Sequence, residues 1–215
     1  MSLAVLCDFD GTIVEIDTAV FVLDRFGRGD WRTLDRQYEL GQITLEECLR
    51  KQFSLVTATR EEILDELDKV VTFRQGFERL ARYCKEKSIP FIIVSAGLDF
   101  VIDHFMRQNG WETLVETCAA TTEFKAGGID FIFPKLFDRA SVNFKQDLVK
   151  HYRARGMKVV YIGDGTADYT AAASADYPFA VRSSRLAKLC ESQRQGCTAI
   201  TDFIKVVEAI SGIAT

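Results

Sequence analysis

The sequence lacks an excess of basic residues. Its 27 Lys and Arg side chains are outnumbered by 31 Asp and Glu, which gives a formal net charge of −4 and a pI near 5.3. Such a chain has no electrostatic footprint for nucleic acid or for an anionic membrane surface. Its apolar runs fall well short of the roughly 20 residues that a membrane span requires, and no charged region precedes a signal-like segment. We therefore expect neither nucleic acid nor membrane as a partner.

Cysteine and histidine are present, but without the spacing that metal sites require. No C-x-x-C pair and no histidine at zinc spacing occurs among the six cysteines, Cys7, Cys48, Cys84, Cys118, Cys190 and Cys197. A chain with this much core-forming sequence needs no disulfide framework, so we expect reduced, mostly buried thiols and a cytoplasmic location. His104 and His151 fall on predicted helices without a ligand partner, which indicates structural roles.

Three short apolar runs predict the fold class. At 215 residues the chain is long enough for one sizeable domain, or for a core domain with a smaller insert. The runs at residues 3–6, 90–94 and 158–162 each lead into small or acidic residues and then into a helical pattern. Such runs are typical of parallel strands in a doubly wound α/β sheet. These sheets place their active sites at the carboxyl ends of the strands.

The segment from residue 17 to residue 71 differs from the rest of the chain. It has no strand-like run, and its apolar residues recur with helical periodicity. Thr44 with Glu47, and Thr59 with Glu62, have the spacing of capping boxes that open two of these helices. The segment is therefore predicted to be helical throughout.

The position of this helical segment, directly after the first strand, predicts an inserted cap. We expect a core domain made of residues 1–15 and 74–215, with a helical cap domain over residues 16–73. Within the core, the Gly127-Gly128 pair lies between two extended runs and predicts a β-hairpin. The sequence contains no internal repeat, and it carries no signal for an oligomeric state.

The first predicted strand ends in two carboxylates, Asp8 and Asp10, followed at once by Gly11. Because side chains alternate along an extended backbone, both carboxylates lie on the same side of the strand. Two such groups repel each other unless a cation is present or one of them holds a proton. A bare D-x-D is most often a solvated strand end, so the pair gains meaning only from the motifs that follow it.

Three later positions supply groups that would suit a bound phosphate. Ser95 and Ala96 offer a hydroxyl and a backbone N–H at a helix start, Lys145 offers a cation, and Asp164 and Asp168 offer acids for magnesium. Taken singly, each has an ordinary interpretation as a turn, a solvated helix residue or a helix N-cap. Together they favour phosphate chemistry.

In this order the motifs resemble those of the haloacid dehalogenase superfamily of aspartate-nucleophile phosphohydrolases. The four motifs are Asp8-Phe9-Asp10-Gly11-Thr12, Ser95, Lys145 and Gly163-Asp164-Gly165-Thr166-Ala167-Asp168. The resemblance extends from Leu6 to about Val207. It implies a Rossmann-like α/β core, a phosphatase activity, Mg²⁺ as the cofactor and a small-molecule phosphomonoester as the partner.

The resemblance also implies the catalytic and metal-binding residues. Asp8 would be the nucleophile that forms an aspartyl-phosphate. Asp10 would protonate the leaving oxygen and later take a proton from water, which requires a carboxyl that is protonated at the start. Magnesium would bind Asp8, the backbone carbonyl of Asp10, and Asp164.

The remaining motif residues would hold the phosphate and its charge. Lys145 would neutralise the transferring phosphoryl group, and Asp168 would orient Lys145 or a magnesium-bound water. Ser95 and the backbone N–H of Ala96 would hold phosphate oxygens. Gly11 would permit a close approach of the backbone.

The cap falls where it does in the subgroup that includes phosphoserine phosphatase, and such caps close over small substrates. Asp17 matches the acidic position that contacts the substrate amine in that subgroup. Gln52 stands where its carboxylate-binding arginine is found. Phe21 and Phe53 are expected to serve the cap core, the substrate wall, or both. These residues predict a preference for neutral, hydroxyl- or keto-bearing phosphomonoesters over phosphoserine.

A closer resemblance is to the phosphatases that act on 2-hydroxy-3-keto-5-methylthiopentenyl-1-phosphate in methionine salvage. It is carried by Gly76-Phe77, Ile89-Pro90-Phe91, Ser95-Ala96-Gly97-Leu98-Asp99-Phe100 and Phe179-Ala180-Val181-Arg182. Three alternatives stay open at this point: a phosphoserine phosphatase, a phosphotransferase that uses another hydroxyl as acceptor, and a phosphate-sensing binding protein. Asp10 argues against the last, because a pure binder has no use for a general acid.

Overall fold

Strands and helices alternate along most of the chain. The structure, a computed structural model, describes residues 2–213. The strands are β1 (Leu3–Cys7), β2 (Phe91–Ser95), β3 (Glu116–Ala119), β4 (Thr121–Lys125), β5 (Gly128–Ile132), β6 (Lys158–Gly163), β7 (Tyr177–Val181) and β8 (Thr198–Ile200). The helices are α1 (Thr18–Phe26), α2 (Trp31–Glu39), α3 (Leu45–Phe53), α4 (Arg60–Leu67), α5 (Phe77–Glu86), α6 (Asp99–Gln108), α7 (Phe144–Ala154), α8 (Tyr169–Ser174), α9 (Arg185–Ser192) and α10 (Ile204–Ile213).

Six of the strands form one parallel sheet in the order β3-β2-β1-β6-β7-β8. The order reverses at β1, which lies between β2 and β6. Cys7, the last residue of β1, is in register with Ile93 of β2 and with Ile162 of β6. The carboxyl ends of these three strands therefore meet at one edge, which is where a doubly wound sheet places its ligands. The predicted fold class is confirmed.

A hydrophobic cluster covers each face of the sheet, and successive residues of β1 belong alternately to the two clusters. Leu3, Val5 and Cys7 belong to one cluster, and Ala4 and Leu6 belong to the other. An alternation of period two is what a strand covered by helices on both sides requires. Within residues 2–213, no helix has both the length and the apolar character of a membrane span.

Helices α1 to α4 occupy the segment between β1 and α5, which we call the helical insert (residues 16–73). Its two ends run side by side: Val14 bridges Phe73, and the N–H of Arg74 donates to the carbonyl of Ile13 over 2.8 Å. This pairing brings the chain back to the sheet beside the point where it left. The division into a core domain and a cap domain stays a prediction.

The two predicted capping boxes have different outcomes. The box at Thr59 is confirmed, because its side chain accepts from the N–H of Glu62 and the Glu62 carboxylate accepts from the N–H of Thr59. Thr44 accepts from the N–H of Glu47, but the Glu47 carboxylate pairs with Lys51 at 2.7 Å instead of returning to Thr44. The second box is therefore half formed, since an i,i+4 ion pair competes for the same carboxylate.

The predicted hairpin is confirmed as β4 and β5, and it packs against α3 of the helical insert. Phe53 meets Phe131 edge to face, with ring centroids 5.2 Å apart and planes at 78°. Arg50 forms an ion pair with Asp130 beside this contact. Aromatic pairs of this geometry add to the free energy of burial, so the hairpin supports the insert from the core side.

Candidate active site

The predicted motif residues meet in one cleft between the sheet edge and the helical insert. Its volume is about 820 Å³. Asp8, Ser95 and Asp164 reach it from the ends of β1, β2 and β6, and Lys145 reaches it from the first turn of α7. The cleft is also lined by Asp10, Asp17, Ala96 and Asp168. Residues separated by more than a hundred positions are thus brought together because parallel strands end at the same edge.

Lys145 is the central cation of the site. Its Nζ lies 2.8 Å from Oδ1 of Asp8 and 2.7 Å from Oδ1 of Asp168, and its side chain is only 4% exposed. Burial alone would lower the pKa of Lys145, but the charges of Asp168 and Asp8 outweigh it and hold that pKa well above the usual range. Lys145 is therefore a permanent positive charge at the floor of the cleft.

Asp168 is fully buried, and both of its carboxylate oxygens are occupied. Oδ1 accepts from Lys145 and from the hydroxyl of Tyr161, each at 2.7 Å. Oδ2 accepts from the backbone N–H groups of Asp164 at 3.1 Å and Gly165 at 2.8 Å. Burial opposes its charge, yet Lys145 and these hydrogen bonds lower the pKa of Asp168. Asp168 therefore orients Lys145 and the loop after β6, and it has little capacity left for a metal.

Asp8 and Asp164 are the acids that fit a divalent cation. With Asp168 they form a cluster whose carboxylate oxygens lie within 4.8 Å of one another. Burial, then the charge of Asp168, raises the pKa of Asp8 well above its usual value and that of Asp164 to about 7. An oxygen-rich, partly buried cluster of this kind suits Mg²⁺, since a bound cation would relieve the crowded negative charge.

The loop after β1 is shaped to bring Asp164 close. Gly11 has φ +67°, and a Cβ there would collide with the Asp164 carboxylate. The Thr12 hydroxyl donates to Oδ1 of Asp164 over 3.1 Å. Arg74 holds the same loop from behind, donating to the carbonyls of Gly11 and Thr12 over 2.8 Å each. Gly11 is thus required both by its backbone conformation and by its neighbour.

Asp10 is held by Thr18, the first residue of α1. Its Oδ1 accepts from the N–H of Thr18 over 2.9 Å and from the Thr18 hydroxyl. A Cβ at Gly97 would collide with the other oxygen, Oδ2, so β2 closes tightly on this carboxyl. Burial, then the negative charge of Asp17, raises the pKa of Asp10 to about 7. A carboxyl with this pKa can hold a proton near neutral pH.

Ser95 and Ala96 line the cleft at the end of β2. Ser95 is 1% exposed, and its Oγ accepts from the N–H of Gly97 over 3.0 Å. The hydroxyl hydrogen is left to donate to a group in the cleft. Asp17 lines the cleft from the insert side while it caps α1 through the N–H of Val20.

Three predicted cap residues do not line the cleft. Gln52 is 4% exposed and donates to the carbonyl of Trp31 over 3.3 Å, because α3 turns it towards α2. Phe53 is buried against Phe131, and Phe21 is half-buried against the core. Contact of these three side chains with a substrate stays a prediction.

Several residues that line the cleft or support its lining escaped the sequence patterns. Tyr161 lies in an apolar run that indicates a buried strand, so its polar contact with Asp168 left no separate signal. Arg74 is a single basic residue between two elements, and nothing in its spacing connects it with Gly11. Tyr38 and Trp31 of α2 line the cleft, although Trp31 is also part of the predicted insert core. A periodic pattern shows which residues are buried but not which ones border a cleft.

Residues 5–173 match the family described as haloacid dehalogenase-like hydrolase. The chain belongs to this family. Two curated relatives are named 2-hydroxy-3-keto-5-methylthiopentenyl-1-phosphate phosphatase. The one from Geobacillus thermodenitrificans is 31% identical over 96% of this chain and 94% of its own. The one from Brevibacillus brevis is 29% identical over 97% of this chain and 96% of its own.

Solved structures of this hydrolase family resemble the fold. A substrate-bound phosphoserine phosphatase complex has a TM-score of 0.70 at 18% identity, and 97% of each chain is covered. The phosphoserine phosphatase from T. onnurineus has a TM-score of 0.68 at 20% identity, covering 98% of this chain and 94% of its own. The family and the phosphatase names of the relatives support a phosphatase enzyme.

Proposed function

We propose that this hydrolase is a magnesium-dependent phosphomonoesterase that acts on a small phosphorylated metabolite through an aspartyl-phosphate. One observation carries the proposal. The Asp8 carboxylate lies at the floor of the cleft, 2.8 Å from the buried Lys145, while the Asp10 carboxyl is held separately by Thr18. A nucleophile beside a cation, with a second carboxyl in a different environment, is the arrangement that phosphoryl transfer to an aspartate needs.

In the first step Asp8 attacks phosphorus, and the bond between phosphorus and the leaving oxygen breaks. Asp10 delivers its proton to that oxygen, so the product leaves as an alcohol. In the second step water attacks the phosphorus of the aspartyl-phosphate and gives its proton to Asp10. Inorganic phosphate leaves, and the Asp8 carboxylate is restored. Each residue ends the cycle in the state in which it began.

The phosphate itself would be held by the core side of the cleft. Lys145 neutralises charge on the phosphoryl oxygens, and the Ser95 hydroxyl and the Ala96 N–H donate to them. Mg²⁺, held by Asp8, Asp164 and the backbone carbonyl of Asp10, would supply further charge neutralisation of the phosphoryl group. Asp168 keeps Lys145 in place.

For the substrate we propose a phosphomonoester that is neutral apart from its phosphate and carries a hydroxyl or keto group. The names of the curated relatives support this, since the compound in those names bears a hydroxyl, a keto group and one phosphate. Gln52 does not line the cleft, and its amide instead donates to the carbonyl of Trp31. A cytoplasmic site of action agrees with the six free thiols.

A phosphate-release screen tests the proposal. We expect magnesium-dependent hydrolysis of p-nitrophenyl phosphate that chelation abolishes, and 2-hydroxy-3-keto-5-methylthiopentenyl-1-phosphate is expected to be preferred over phosphoserine. Phosphoserine as the best substrate would favour the phosphoserine phosphatase alternative. Release of phosphate only when a second hydroxyl compound is added would indicate a phosphotransferase, and binding without turnover would indicate a phosphate-sensing protein.

A further inference from the structure

Tyr38 is a neutral polar side chain on the insert side of the cleft. It lies near the end of α2 and borders the same space as Asp8, Asp10 and Lys145. Its side chain is half-buried. The mechanism proposed above assigns it no role.

The Tyr38 hydroxyl has no hydrogen-bond partner among residues 2–213. Two other polar groups that the insert presents to the cleft are already paired: the indole N–H of Trp31 donates to Asp24 over 3.0 Å, and Arg32 pairs with the same carboxylate. Opposite them, Arg185 of the core pairs with Glu39 at 2.9 Å. Among the described residues, every fully buried side-chain nitrogen or oxygen has a partner. Because the Tyr38 hydroxyl has none, it is not fully buried, and it opens to the cleft that Tyr38 lines.

The charges at the floor of the cleft act on the Tyr38 phenol. Burial raises the pKa of its phenol, and the next contributions come from Lys145, which lowers that pKa, and Asp168, which raises it. Both groups belong to the floor of the cleft. The phenol therefore keeps its proton at neutral pH, so its hydroxyl can donate a hydrogen bond.

The insert side of the cleft has an apolar wall beside its charged residues Asp17, Arg32, Asp35, Arg36 and Glu39. Val20, Leu45 and Leu49 line the cleft on the insert side, and Trp31 completes this wall. A substrate oxygen placed against such a wall loses its hydrogen bonds to water and needs a replacement. Tyr38 provides one, whereas the phosphate already has Ser95 and Lys145 on the opposite side.

We propose that Tyr38 determines specificity by donating a hydrogen bond to an uncharged carbonyl or hydroxyl oxygen on the carbon chain of the substrate, next to the phosphate. The proposal rests on the phosphomonoesterase function. The substrates would be phosphate esters of hydroxy or keto compounds. Tyr38 of the insert would recognise the uncharged oxygen, while residues of the core carry out the reaction.

Two probes of equal chain length test this pairing. Hydroxyacetone phosphate has a keto oxygen beside the phosphate ester, and n-propyl phosphate lacks it. The wild-type enzyme is expected to have the higher kcat/KM on hydroxyacetone phosphate. Tyr38→Phe removes only the hydroxyl, so kcat/KM should fall about 3- to 10-fold on hydroxyacetone phosphate, the usual range for one neutral hydrogen bond, and stay unchanged on n-propyl phosphate.

Tyr83→Phe is the matched control, because Tyr83 lies on α5 and borders a different groove. It should behave as the wild type on both probes. An equal loss on both probes in Tyr38→Phe, or no loss on either, would overturn the inference. A wild-type enzyme that releases phosphate from no phosphomonoester, p-nitrophenyl phosphate included, would instead contradict the proposed function and remove the basis of the inference.

Discussion

Two ion pairs that border the cleft, one within the core and one between core and insert, join opposite charges at nearly the same distance. Lys145 meets Asp168 at 2.7 Å with side chains 4% and 0% exposed, while Arg185 meets Glu39 at 2.9 Å with side chains 64% and 42% exposed. The first pair is fixed by burial and by further hydrogen bonds, and the second is solvated and screened by salt. Two nearly equal distances thus belong to ion pairs whose side chains differ greatly in how firmly they are held. The pair within the core is therefore held much more firmly than the pair that joins the core to the insert.

Replacing Asp10 should give a large loss of activity that depends on the leaving group of the substrate. Asp10→Asn cannot donate the proton that an alkoxide leaving group needs, so hydrolysis of alkyl phosphates should fall by about 10²–10⁴-fold. Aryl phosphates, whose leaving group needs little protonation, should lose much less. Steady-state rates on n-propyl phosphate and p-nitrophenyl phosphate measure the difference. Equal losses on the two esters would remove the general-acid role from Asp10.

Replacing Lys145 should give the largest change in stability. Lys145→Met leaves the carboxylates of Asp8 and Asp168 buried without their counter-charge, which should lower the free energy of unfolding by about 3–5 kcal/mol. Urea denaturation without metal measures it. Lys150→Met, on the same helix with its side chain 38% exposed, is the control and should cost less than about 1 kcal/mol. Similar losses in both variants would contradict the distinction between buried and exposed charges.

Removing one hydroxyl from the buried network should have an intermediate effect. Tyr161→Phe takes away one donor to Asp168 and should cost about 1 kcal/mol of stability, with a loss of activity as Lys145 becomes less well placed. If Tyr161 acts through Asp168, the same change in an Asp168→Asn background should reduce activity by a smaller factor. A cycle of the two single variants and the double variant measures this coupling. Losses that simply multiply would mean that Tyr161 acts independently.

Removing the exposed pair should have the smallest effect. Arg185→Ala breaks the contact between α9 and Glu39, and we expect less than about 1 kcal/mol of change in unfolding free energy, shrinking further at high salt. Thermal unfolding at low and high ionic strength measures it. A loss as large as that of Lys145→Met would mean that the insert side is as tightly constrained as the core.

The grouping of the candidate catalytic residues could be predicted from sequence because of one geometric rule. Residues that directly follow parallel strands meet at one edge, so Asp8, Ser95 and Asp164 could be grouped from the strand pattern alone. The parallel sheet and the hairpin at Gly127 followed from patterns of the same local kind.

Contacts that depend on tertiary packing could not be predicted in this way. Tyr161 reaches the site through one hydroxyl, Arg74 through two guanidinium donors, and Tyr38 through the placement of α2 over the sheet edge. Gln52 occupies a recognisable signature position, but the rotation of α3 directs it at Trp31. The Thr44 box failed in part because Lys51 competes for Glu47. In each case a neighbour that the local pattern does not contain decides the outcome.

A rapid acid quench tests most directly whether Asp8 is the nucleophile. The enzyme is mixed with a ³²P-labelled aryl phosphate and magnesium, stopped within a turnover, and digested to locate the label. We expect label on Asp8 in the wild type and in Asp103→Asn, an exposed α6 control, and none in Asp8→Asn, which should lose nearly all activity. Loss of acid–base help alone typically costs about 10²–10⁴-fold in rate, so loss of the nucleophile should cost at least as much. If Asp8→Asn retains more than about a hundredth of the wild-type rate, covalent catalysis at Asp8 is contradicted.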